Sequence, residues 1–418
     1  MRTRAFFLLL LPTLLFSQNY QLGGYVKFFA HPNLNAPYPF DRLGSRLQLR
    51  LSNSFNEHAA FFSAIDFNYE STASSVSGSL SRSAGMDIYP VETYVDLFFS
   101  KVDIRLGQQF IFWGRTDWVN PTDNINPWDY RNISAEIEDY RIPVPAAKAD
   151  FYLGNFDLEA VWLPVFQAHS IPMEIPDSIG VFKVVHEPTR FPENKVSNSQ
   201  FGLHLSSSTA GIDYSFSYFR GYAKSPTVHI RMNPALGQFI EQTEYSTLQV
   251  FGADFVTTFH KFAFKGEGAY FLTSDRNGKD IFAENPYLQY VLGLDYNASN
   301  DLTFNVQFIQ KISFQYDLAY EKTIRIQNHM PLNDLPDQYV QSASGRIQYQ
   351  LSDFTTVQFI SVYNFKDGDF FALPILNYGL ADGVNIYAGG TLFSGPKTSP
   401  FGRSKKYSRA FVEIKYSF

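Results

Sequence analysis

Apolar and polar side chains alternate with a period of two along most of this chain. In EHAAFFSAIDFNYE, residues 57–70, one face carries Ala59, Phe61, Ser63, Ile65, Phe67 and Tyr69, and the other carries Ala64, Asp66, Asn68 and Glu70. In YSRAFVEIKYSF, residues 407–418, Ala410, Val412, Ile414, Tyr416 and Phe418 alternate with Arg409, Glu413 and Lys415. A period of two is that of a strand, whose successive side chains point to opposite faces. Eighteen such segments can be marked, among them 21–30, 42–54, 57–70, 88–100, 102–112, 301–319 and 406–418. The pattern predicts an all-β chain.

The links between segments sort into two kinds. Short ones, such as Phe55-Asn56, Lys101, His260, Asn300 and Ser352, alternate with mostly longer ones at 71–87, 113–146, 167–199, 222–245, 273–286 and 320–338. Tight turns on one side and long loops on the other suit strands that cross a membrane in turn. A sheet in lipid must close, because an open edge leaves peptide groups without partners. The expected fold is a transmembrane up-and-down antiparallel β-barrel of about 18 strands, with 16 as the second choice. A soluble sandwich is the alternative, but it does not call for an export signal on a chain of this kind.

The chain begins MRTRAFFLLLLPTLLFSQNY, where Arg2 and Arg4 precede an apolar run from Ala5 to Phe16, followed by Ser17. This order is that of a signal peptide, expected to span residues 1–17 and leave 18–418 as one barrel with long outer loops. Removing Arg2 and Arg4 leaves 32 basic residues against 40 acidic ones, a balance that speaks against a nucleic-acid partner. With no Cys, disulfides and thiolate metal sites are excluded. The 42 Phe and 26 Tyr suit a sheet with one lipid-facing side. The final IKYSF resembles the terminal strand signal of bacterial outer-membrane barrels, which implies the barrel-assembly machinery and outer-membrane lipids as partners and the bacterial outer membrane as location.

The most unusual stretch is RLGQQFIFWGRTDWVNPTDNINPWDY, residues 105–130. It opens as a strand and ends in Trp, Asn, Pro and Asp, which fit neither strand nor helix. Through Leu106, Gly107, Gln108, Gln109, Trp113, Gly114, Asn124, Ile125, Asn126, Pro127 and Asp129 it resembles a broad family of outer-membrane porin-like proteins related to alginate-export barrels. The resemblance implies a channel for small polar solutes or for an oligomeric or polymeric substrate. Alginate itself fits poorly, because Arg46, Arg50 and Arg105 are mixed with Asp66, Glu92, Asp96, Asp103 and Glu159 on the expected lumen face. The loop after Phe112 is expected to be folded, with inward bending one option. Residues Arg105, Gln109, Trp113, Arg115, Asp117, Trp118, Asp123, Asn126 and Asp129 are the candidates for substrate contact or constriction. The competing reading assigns Trp113 and Trp118 to the interfacial aromatic belt.

Other chemistry is poorly supported. The eight His residues form no HExxH pattern, and the His204-x-Ser206 pair lacks an obvious stabilising neighbour for a nucleophile. Asp117, Asp123 and Asp129 lack the ordered spacing of a calcium loop. No enzyme, cofactor or metal is therefore expected. A small polar solute or polysaccharide is the expected partner of a channel. The second hypothesis is a structural or surface-binding barrel with a blocked lumen.

Overall fold

The computed structural model describes residues 20–35, 42–76, 79–171, 175, 177–233, 235–330, 332 and 335–418, with the backbone alone at 72–76, 79–83 and 138. The expected signal peptide lies outside these residues. Eighteen antiparallel strands form one sheet. In chain order they are β1 (Tyr20–His31), β2 (Arg42–Asn56), β3 (Ala59–Val76), β4 (Ser79–Phe98), β5 (Val102–Gln109), β6 (Val144–Leu153), β7 (Phe156–Leu163), β8 (Gln200–Thr209) and β9 (Ile212–Tyr222). They continue as β10 (Thr247–Phe259), β11 (Phe262–Leu272), β12 (Tyr287–Asn297), β13 (Leu302–Ser313), β14 (Tyr339–Ser352), β15 (Thr355–Asn364), β16 (Asp369–Ala381), β17 (Val384–Ser394) and β18 (Arg409–Ser417).

Each strand pairs with its neighbours in sequence, and β1 pairs with β18 from Tyr25↔Ser417 to Ala30↔Val412. Two backbone bonds of 3.0 Å between Gly24 and Phe418 extend that seam. The sheet is thus a closed transmembrane barrel of the all-β class. Closure removes the edges that hydrocarbon cannot solvate.

The two faces are those of a membrane barrel. Within β13, Val306 is 60% exposed and the adjacent Gln307 is 0% exposed. Phe216, Leu292, Val412 and Ile414 are likewise exposed, whereas Glu267, Asn305 and Glu413 are buried. Apolar outside and polar inside is the reverse of a soluble domain, and it follows from lipid taking the place of water at the outer face.

Three expectations need correction. Within the Ser-rich stretch 71–87 the described residues 71–76 and 79–87 are strand and not loop, because β3 and β4 stay paired through Ser75↔Leu80 and Val76↔Ser79. Ladder bonds use only backbone groups, so the lost apolar alternation did not end the strands. Segment 301–319 is not one strand, since β13 stops at Ser313 and α1 (Leu318–Gln327) follows. The Asp317 carboxylate accepts from the Tyr320 N–H at 2.9 Å and caps this helix. Loop 222–245 holds a hairpin, 227–233 with 238–244, which pairs with 182–186 in a separate four-stranded sheet.

Candidate functional site in the barrel lumen

After β5 ends, residues 110–143 turn into the barrel and touch its wall on several sides. The turn is made at Gly114, whose φ of +85° lies in the left-handed region. A Cβ there would also meet the Glu267 carboxylate oxygens at 2.6 and 2.7 Å. Just before it, Trp113 stacks on His204 of β8, with ring centres 5.4 Å apart, and donates Nε1–H to Glu159 of β7 at 2.5 Å. Gly202 of β8 leaves room for that ring, because a Cβ at 202 would stand 2.4 Å from the Trp113 ring.

Glu267 of β11 is the main anchor on this side. Its Oε2 accepts from the N–H of Arg115 and Thr116 at 2.9 and 3.1 Å and from the Thr116 hydroxyl at 2.7 Å. Its Oε1 accepts from the Thr122 N–H and hydroxyl at 2.9 and 2.8 Å. Arg115 adds a 2.8 Å ion pair with Asp254 of β10. Further round, Asp117 Oδ2 accepts from Lys265 of β11 at 3.1 Å and from Asn305 and Gln307 of β13, each at 2.9 Å.

A second anchor holds the far part of the segment to β1, β2 and β18. Glu136 pairs with Lys27 and Lys415, each at 2.6 Å. Asp139 pairs with Lys27 and Arg46, each at 2.6 Å, and accepts from Ser134 at 3.0 Å. Burial pushes both carboxyls up, but Lys27, joined by Lys415 for Glu136 and Arg46 for Asp139, outweighs it and holds both below the ordinary carboxylate range. Buried charges of this kind are tolerable only when paired.

Between the anchors the segment is bracketed by its own residues. Asn126 Oδ1 accepts from the Ile111 N–H at 2.7 Å, and its Nδ2 donates to the Ile142 carbonyl at 2.9 Å. Asp123 is ion-paired with Arg141, whose guanidinium lies over the Phe112 and Trp128 rings at 4.5 and 4.3 Å. His169, in the loop after β7, accepts from the Trp128 N–H through Nδ1 at 2.8 Å. Burial, followed by the charges of Lys224 and Arg141, pushes its pKa down to about 3.

A cavity of about 1260 Å³ lies beside the segment. Trp118, Ile360, Phe371, Leu373 and Phe393 give it an apolar side, and Asp117, Gln289 and Arg346 bring polar groups.

Of the nine sequence candidates, Asp117, Trp118 and Asp123 line this cavity. Arg115 ties the segment to the wall. Gln109, Trp113 and Asn126 are buried, with Gln109 donating to the Ala146 carbonyl at 3.1 Å. Asp129 accepts from its neighbours Arg131 and Asn132. Arg105 lies on β5 away from the segment, paired with Asp96 at 2.7 Å and stacked on Tyr94 at 3.9 Å. Neither Trp113 nor Trp118 belongs to an interfacial belt; one packs on His204 and the other against Phe371. Sequence reasoning missed Lys27, Glu136, Asp139, Glu267 and Arg346. The one local hint was Glu267, a charge between Gly266 and Gly268.

A family model described as Protein of unknown function (DUF1302) matches residues 49–281. The chain belongs to this family. The DUF1302 match runs from β2 to the loop after β11, so it contains the whole infolded segment and its Glu267 anchor. No curated protein matches the chain. Among solved structures, OccK5 (OpdH) of Pseudomonas aeruginosa is similar at TM-score 0.53 and 11% identity, with 96% of this chain and 99% of that one covered. OccAB3 of Acinetobacter baumannii is similar at TM-score 0.52, with the same identity and coverage. OmpTdeltaL8, an outer membrane protein of Vibrio cholerae, aligns at TM-score 0.44 and 9% identity, covering 96% of this chain and 99% of that one. The likeness is one of fold, a porin-like barrel.

Proposed function

We propose that this protein is a channel of the bacterial outer membrane for small solutes and that segment 110–143 is its constriction. The observation that carries the reading is the double anchoring of the segment, by Glu267 and Asp117 on one side and by Lys27, Arg46 and Lys415 on the other. A solute crossing the lumen must pass beside a polar, charged chain held in place, the arrangement by which pores select for size and charge. Small solutes suit this better than a polymer, which would have to thread past the crossing segment. The lipid-facing side, the exposed terminal strand and residues 1–17 fit export, insertion by the barrel-assembly machinery and contact with outer-membrane lipids.

Planar-bilayer recording tests the reading. Deleting residues 116–129 removes Asp117 and Thr122 and is expected to raise single-channel conductance and change ion selectivity. Equal conductance in both forms would reject the segment as the constriction. Silence from both correctly folded forms would favour a structural or surface-binding barrel.

A further inference from the structure

The lumen wall is not uniformly polar. On β16, Phe371, Leu373 and Ile375 are buried inside, while Phe370, Leu376 and Tyr378 are exposed outside, so both faces are apolar. The strip continues by register, since Leu373 lies opposite Ile360 and Phe371 opposite Val362 on β15, and Phe371 opposite Phe393 on β17. Trp118, Ile133 and Ala135 of the infolded segment pack on part of it. Ile360, Phe371 and Leu373 are themselves almost fully covered, and the half-buried Val362, Phe393 and Phe401 are what this strip presents to the cavity.

At the border of this strip stands a cation. Arg346 of β14 is the direct cross-strand partner of Ile360, so its side chain lies roughly 5 Å from the strip. Its nearest acid is Asp117, with Nη2 to Oδ1 at 3.6 Å, while Asp117 Oδ2 is taken by Lys265, Asn305 and Gln307. Its buried Nε has no hydrogen-bond partner among the described residues. The Arg346 side chain as a whole is still 28% exposed, and a guanidinium that open, with its charge only partly met, matches a carboxylate in geometry and charge. The strip beside it spans β15 to β17, roughly 10 Å, room for a phenylalkyl or medium alkyl chain.

We propose that the cavity is a binding site for amphipathic monocarboxylates, with the carboxylate on Arg346 and the apolar body on Val362, Phe393 and Phe401. This names a substrate class and rests on the channel reading. Binding and conduction are therefore measured separately.

The full barrel in lipid nanodiscs is titrated calorimetrically with 4-phenylbutyrate, 4-phenylbutanol and acetate, with empty nanodiscs as the blank. Phenylbutyrate is expected to bind more tightly than the alcohol, and acetate not measurably. Arg346→Gln should weaken phenylbutyrate about tenfold, as loss of a charged hydrogen bond implies, and leave phenylbutanol unchanged. Phe393→Asn should weaken both, and Val362→Thr serves the same purpose with its branched shape retained should Phe393→Asn not assemble. Equal affinity for acid and alcohol, or an unchanged phenylbutyrate affinity in Arg346→Gln, would overturn the inference. A barrel that conducts but binds no phenylbutyrate sinks the site and leaves the channel. One that binds phenylbutyrate with these variant effects yet never conducts supports the site and sinks the channel.

Discussion

Glu267 concentrates in one side chain much of what seats the infolded segment. Its two oxygens accept five hydrogen bonds from Arg115, Thr116 and Thr122, and the side chain is buried. Glu267→Gln replaces one acceptor with an amide that points donors at donors. The expected cost is on the order of 3 kcal/mol of seating energy, read as a lower temperature for the onset of protease cleavage within 110–143 while the barrel stays folded. Gly114→Ala should act in the same direction through the same contact, because both the φ of +85° and the 2.6 Å approach to Glu267 exclude a Cβ. The sequence showed one side of this arrangement only. Gly114 and Asn126 could be suspected locally, since Asn126 bonds residues 15 and 16 positions away. Glu267 meets Arg115 across 152 positions, and nothing in a single chain's spacing marks such a pair.

At the scale of elements, alternation located the strands because lipid outside and water inside impose opposite chemistry on successive residues. It failed where that pressure stops. The Ser-rich ends of β3 and β4 have no apolar face to show, yet their backbones pair, and β16 presents apolar residues on both sides. The last strand tests the phase directly. Val412, Ile414, Tyr416 and Phe418 are exposed on the outside while Glu413 is buried inside, so Phe418→Asp should lower the yield of heat-modifiable barrel several-fold relative to Ser417→Asp. Equal yields would contradict the strand phase. The inner face offers a matching test at Gly202, where a larger side chain collides with Trp113. Gly202→Leu is expected to leave the barrel intact and unseat the segment, seen as a red-shift of Trp emission; unchanged emission would mean that the Trp113 seat tolerates the side chain.

For the molecule as a whole, the barrel and the segment it encloses respond differently to acid, because the ladder carries no titratable groups and the anchors do. Glu136 and Asp139 have pKa values below the ordinary range. Their contribution to seating is therefore complete above about pH 5 and is lost as pH falls through their lowered values. His169 acts earlier. A free imidazole titrates near 6.5, whereas buried His169 is held down to about 3, where its Nδ1 accepts from the Trp128 N–H. Protonation thus favours a released segment, and seating weakens progressively as pH falls from about 6.5 toward 3. If the segment narrows the lumen, single-channel conductance should be flat from pH 8 to about 6.5 and rise below it. His169→Asn supplies an amide oxygen to the same N–H without titrating. It should remove the rise between about pH 6.5 and 5 and leave the one below about pH 5, where Glu136 and Asp139 progressively let go of Lys27. The same pH profile in both proteins would show that His169 does not control seating. A conductance that only falls with acid would argue against release of the segment altogether.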